Sequence, residues 1–106
     1  AGAYLAVVEQ VMLRSQGTRR LGAAALDLAW VASGRYDAYW EHGGIHGVKP
    51  WDLAAGMLLV IESGGRYTDH LGNVNSLEGP AFIASNGLVH EELREIIVDT
   101  MPQHLR

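Results

Sequence analysis

Apolar and polar positions along the chain alternate between two periods, and the changes of period mark out its elements. Across residues 1–13, Leu5, Val8 and Met12 recur at helical spacing and predict a first helix. A polar turn over 14–18 closes on Gly17. Residues 23–33 (AAALDLAWVAS) are strong helix formers, and Gly34 stands where a left-handed C-cap belongs. The aromatic, partly alternating YDAYWE over 36–41 predicts a short strand that ends on Glu41. Glycines make 42–48 a loop. Pro50 favours a helix start, and 51–63 (WDLAAGMLLVIES) carries an almost continuous apolar surface until Gly64-Gly65, which predicts a helix packed on most sides.

Residues 66–68 predict another short strand, 69–73 a turn rich in Asp, Gly and Asn, and the AFIAS run over 81–85 a buried strand. Asn86 is placed as the cap of a last helix. Its apolar face holds Leu88, Val89, Leu93, Ile96 and Ile97, and Glu91, Glu92, Arg94 and Glu95 face water. Helix and strand thus alternate in an α/β manner. No repeat, low-complexity tract or linker divides the 106 residues, so a single unit is expected.

Composition narrows the function classes. With 48% hydrophobic and 19% charged residues, the chain reads as an ordered domain. A net charge of -4, with no basic cluster larger than Arg19-Arg20, leaves no footprint for a nucleic-acid backbone. The absence of cysteine excludes disulfides and thiolate chemistry and fits a reducing compartment. The apolar run at the start is interrupted by Glu9 and Gln10 and does not read as a signal peptide, and no apolar stretch reaches the roughly 18 residues that would span a bilayer. The cytoplasm is therefore the expected location.

Asp52 is the leading chemical candidate. It falls in the first turn of a predicted helix, where unpaired N–H groups and the helix dipole favour an anion. Helix stabilisation alone is the plain reading of such a carboxylate. A glycine-rich loop before it and small Ala54, Ala55 and Gly56 after it leave room for a ligand or a close helix neighbour. His42 and His46 are four apart, as in a helical zinc pair, but the glycines between them oppose a helix. His42-Gly43-Gly44 is similar to an esterase oxyanion loop, yet no G-x-S-x-G elbow accompanies it. Arg19 and Arg20 are candidates for a phosphate or partner contact, against simple solvation. Trp30, Trp40 and Trp51 are expected as core or interface anchors and Asp27 as a helix-face residue.

Three blocks taken together, RRLGAAALDLAWVASGRYDAYWE, KPWDLAAGMLLVIESGG and AFIASN, resemble the C-terminal half of the inositol monophosphatase family. The most specific piece is Trp51-Asp52-x-Ala54-Ala55-Gly56 followed by Glu62-Ser63-Gly64-Gly65. The resemblance implies the C-terminal layers of an αβαβα sandwich and magnesium-dependent hydrolysis of a phosphate monoester, inositol monophosphate first. Fructose bisphosphate, histidinol phosphate and phosphoadenosine phosphate are the related substrates. It implies that Asp52 ligates Mg²⁺, that the turn Gly22-Ala23-Ala24 lines the substrate pocket, and that Glu41 binds sugar hydroxyls. It also implies a homodimer.

The chain departs from the family pattern in two places. Ala23 stands where the family usually has Ser or Thr, and the loop over 42–50 is longer than usual. Neither the family's G-E-E loop nor its D-P-[IL]-D-G-[ST] motif, which supply most of the metal ligands, occurs in these residues. The chain alone is accordingly expected to be inactive. A non-catalytic assembly module that kept the fold, with Asp52 only as a helix cap, is the alternative from a different class.

Overall fold

Glycines close the two helices that cover one face of the sheet, and they do so in the same way. Helix α2 (Ala24–Ala32) runs into Gly34, whose φ of 83° is left-handed. That conformation lets the Arg35 amide donate to Trp30 O at 2.9 Å and the Gly34 amide to Val31 O at 3.1 Å, the paired bonds of a Schellman cap. Helix α3 (Pro50–Glu62) starts on a proline whose fixed φ suits the first helical position. It ends on Gly64 (φ 89°), with the Gly65 amide donating to Val60 O at 2.9 Å. Gly65 is required for another reason, since a Cβ there would run into the Ser85 carbonyl of the neighbouring strand.

The computed structural model describes residues 2–15, 24–42, 50–75 and 81–100, and side chains over 5–15, 26–41, 53–75 and 81–100. Three strands, β1 (Ala38–His42), β2 (Arg66–Asp69) and β3 (Ala81–Ser85), form a sheet in the order β1-β3-β2, with both pairings antiparallel. All five residues of β3 are buried, as expected for a central strand covered on both faces. Because β1 and β2 both oppose β3, they run in the same direction, joined by the crossover through α3.

Side-chain alternation divides the core into two clusters. Tyr39, Tyr67, Phe82 and Ala84 face Leu28 and Val31 of α2 and Leu53 and Val60 of α3. Ala81 and Ile83 face Val7 of α1 (Gly2–Arg14) and Leu93 and Ile97 of α4 (His90–Thr100), with Trp40 packed alongside. The result is three layers, α2/α3, sheet and α1/α4, and the α/β class expected from the sequence holds. Helices α2 and α3 approach closely at Gly56, where a Cβ would lie 2.6 Å from Leu28 Cβ.

Three local expectations are corrected. Among the described side chains of α3, one side is packed: Leu53, Gly56 and Val60 are buried, while Leu58 and Leu59 are about half exposed. On α1 the buried stripe centres on Val7 rather than on Leu5 and Met12, which are exposed. Asn86 does not cap a helix. Its Oδ1 accepts the Leu88 amide at 3.0 Å in an Asx turn, and Gly87 at φ 98° interrupts the helical path. Val89 O then accepts the first helical bond, from Leu93, and Leu88, expected in the core, is 90% exposed.

Candidate functional site

Connectivity gathers the candidate chemistry at one end of the sheet. Helix α2 leads into β1 through residues 33–37 and α3 leads into β2 through 63–65, so both helices have their C-termini at the start of these strands. Packed along the sheet face, they bring their N-terminal turns to the carboxyl ends of β1 and β2. The positive ends of two helix dipoles thus point toward that end of the sheet, a setting for anions.

The expected site residues fall partly on this frame and partly outside the described residues. Asp52 lies in the first turn of α3 and Ala24 opens α2 by their backbones, and the side chains of both lie outside the described residues. Gly22, Ala23, Arg19, Arg20 and His46 also lie outside them, as do the side chains of His42, which closes β1, and of Trp51. Asp27, expected on a helix face, is buried in the first turn of α2 at 1% exposure. Trp30 packs against Tyr36, ring centroids 5.3 Å apart, with the Arg35 guanidinium over its face.

Glu41 is the best-defined candidate. It is the fourth residue of β1, paired with Phe82 of β3, which in turn pairs with Asp69 of β2. Glu41 is 6% exposed, and the Tyr39 hydroxyl donates to its Oε1 at 2.7 Å, the short distance of a charge-assisted bond. Tyr39 meets Phe82 edge-on at 5.6 Å, and Phe82 stacks on Tyr67 at 5.3 Å with the rings 12° apart. The sequence reading expects Glu41 at the end of a strand and as a contact for sugar hydroxyls, but does not pair it with Tyr39. The i, i+2 spacing of Tyr39 and Glu41, which places both on one face, was the signal for their pairing.

Asp69, at the matching end of β2, is engaged by its own turn. Its Oδ1 accepts the Leu71 and Asn73 amides at 2.9 and 2.8 Å, and its Oδ2 accepts Asn73 Nδ2 at 2.8 Å. With Glu41 holding a phenol and Asp69 holding a turn, the described residues contain no group of three or more His, Cys, Asp or Glu able to hold a metal ion. The Asp52 carboxylate, the expected magnesium ligand, lies outside the described residues.

Behind the site, a buried histidine ties β2, β3 and α4 together. His90 Nε2 lies 2.8 Å from Thr68 Oγ1, and Nδ1 lies 2.7 Å from Ser85 Oγ. Thr68 Oγ1 already donates to Asp69 O, so it accepts from His90 Nε2–H, and Nδ1 must accept from the Ser85 hydroxyl. Ser85 Oγ in turn accepts the Gly87 amide at 3.0 Å. Every hydroxyl proton then has a direction, and the ring is neutral. Burial, reinforced by the Arg66 charge, holds its pKa down at about 4. By contrast, Tyr67 Oη and both ring nitrogens of His70 are buried without a hydrogen-bond partner, and burial raises the Tyr67 phenol above its usual range.

Comparison with known proteins bears on this arrangement. The model of the inositol monophosphatase family matches residues 3–106. An inositol-1-monophosphatase of Rhizobium meliloti is 42% identical over 101 residues, covering 95% of this chain and 36% of that protein. The Nus factor SuhB of Pseudomonas aeruginosa is also 42% identical, over 97% of this chain and 36% of its own length. Among solved structures, the inositol monophosphatase of Anabaena superposes with a TM-score of 0.79 at 38% identity, over 92% of this chain and 36% of that one. The chain therefore spans little more than a third of the length of these relatives, and its layers are those of their fold. On sequence and on structure alike, the chain belongs to the inositol monophosphatase family.

Proposed function

We propose that this chain supplies the C-terminal part of a magnesium-dependent phosphatase acting on a phosphate monoester of a polyol, inositol monophosphate first. The observation that carries the reading is the convergence of a buried, phenol-bonded Glu41 with the N-termini of α2 and α3 at one end of the sheet, together with the names of the relatives. Glu41 would accept hydrogen bonds from substrate hydroxyls, and the Gly22-Ala23-Ala24 turn would line the pocket beside it. The helix N-termini favour the phosphate's charge. Asp52 would be one ligand to magnesium, whose chemistry when bound is to offset charge on the phosphate and on the leaving oxygen. The other ligands would come from segments that match nothing in this chain.

The test uses the full-length protein that carries this chain. Release of phosphate from inositol monophosphate is expected to require Mg²⁺ and to fall at least about a hundredfold in Asp52→Asn, as loss of several kcal/mol of transition-state stabilisation implies. Comparison of kcat/KM with fructose bisphosphate, histidinol phosphate and phosphoadenosine phosphate settles the substrate. A second reading, a non-catalytic assembly role, is favoured by the relatives named as Nus factors. It predicts that Asp52→Asn leaves the protein's cellular role intact. We also propose self-association, supported by the exposed Leu26 on α2 and Leu58 and Leu59 on α3.

A further inference from the structure

We propose that Tyr39 is a positioning residue: its phenol fixes the Glu41 carboxylate in the orientation that receives a polyol hydroxyl. The inference rests on the reading of Glu41 as a substrate contact and adds what makes that contact effective. A glutamate has several rotatable bonds, and ordering it at the moment of binding would weaken the complex. Here the ordering is completed during folding. The Tyr39 O–H donates to Glu41 Oε1 at 2.7 Å, with both side chains buried.

Tyr39 is itself held from behind. Its ring meets Phe82 edge-on at 5.6 Å, and Phe82 is stacked on Tyr67, so aromatic side chains from all three strands form one packed row that ends at the Tyr39 hydroxyl bonded to Glu41. Their register is fixed by the sheet, with Tyr39 and Tyr67 both opposite Ala84 and Glu41 opposite Phe82. A phenol has only two side-chain torsions, and both are set by this packing. The neighbour of Glu41 is therefore a donor whose position does not depend on substrate.

The experiment uses the full-length protein, two substrates and two variants. Tyr39→Phe keeps the ring and removes the donor. It is expected to raise KM for inositol monophosphate about tenfold, the scale of one lost hydrogen bond to a charged group, with kcat nearly unchanged. Hydrolysis of an aryl phosphate lacking vicinal hydroxyls should be unaffected. In a Glu41→Gln background, adding Tyr39→Phe should change KM less than about twofold, because the group it positions is already altered.

Equal losses on both substrates would assign Tyr39 a structural role and overturn the proposal. So would full additivity with Glu41→Gln, or an unchanged KM in Tyr39→Phe while Glu41→Gln is impaired. If Glu41→Gln alone leaves inositol monophosphate kinetics unchanged, the underlying reading of Glu41 fails, and the proposal with it. Fluorotyrosine at position 39, which keeps both ring and hydroxyl, should retain the original KM. A tenfold rise there contradicts the proposal even if Tyr39→Phe proves unstable.

Discussion

His90 shows how one side chain can make stability depend on pH. Neutral in the fold, it uses both nitrogens on hydroxyls of two different strands. Its pKa is about 4 in the fold and about 6.5 in the unfolded chain. Above pH 6.5 both states are neutral, and the full contribution is present. As pH falls from 6.5 to 4 the unfolded chain takes up a proton that the fold refuses, so stability is lost across that window and no further below it. The loss is at most about 3 kcal/mol. Denaturant unfolding followed from pH 7 to pH 4 should show this decline, and His90→Leu should flatten it while lowering stability at pH 7, because Ser85 and Thr68 lose a partner. None of this was legible in the sequence. Ser85 and His90 are five apart, but Thr68 lies 22 residues away, and only the antiparallel placement of β2 beside β3 brings it in.

At the scale of elements, glycine carries much of the family motif's physical meaning. Gly56, read from sequence as leaving room for a ligand or a helix neighbour, serves the neighbour: Leu28 of α2 sits where its Cβ would be. Gly56→Ala places that carbon 2.6 Å from Leu28 Cβ, an atom close to its own backbone, so the helices must separate. A loss of about 1–3 kcal/mol is expected in thermal or denaturant unfolding, and an unchanged midpoint would contradict the packing. The Gly64-Gly65 stop was legible, since a left-handed cap has a local signature. The start of α4 was not. Asn86 carries a cap's chemistry, but its side chain closes a turn, and the helix begins only at His90, whose ring is drawn inward to Ser85.

For the whole molecule, the α/β class and the order of elements followed from local periodicity, whereas strand order and layer assignment did not. The antiparallel β1-β3-β2 arrangement puts the last strand in the centre, a choice made by long-range pairing rather than by any one segment. Which faces would be covered was equally hidden, and the outward Leu58 and Leu59 of α3 look no different in sequence from the buried Val60. Asp52 and Glu41 were singled out through the W-D-x-A-A-G block and the strand before it, that is, through resemblance rather than spacing, and the fold puts Glu41 and the N-terminus of α3 toward the same end of the sheet. No described helix is long and apolar enough to cross a membrane.

We propose that a divalent cation binds at this end of the sheet, at the α3 N-terminus. Anomalous diffraction from crystals of the full-length protein, with Mn²⁺ replacing Mg²⁺, tests it most directly. An anomalous peak is expected in coordination range of the Asp52 carboxylate, and it should disappear in Asp52→Asn. A fully occupied peak elsewhere with none at Asp52, or one that survives the substitution unchanged, would contradict it.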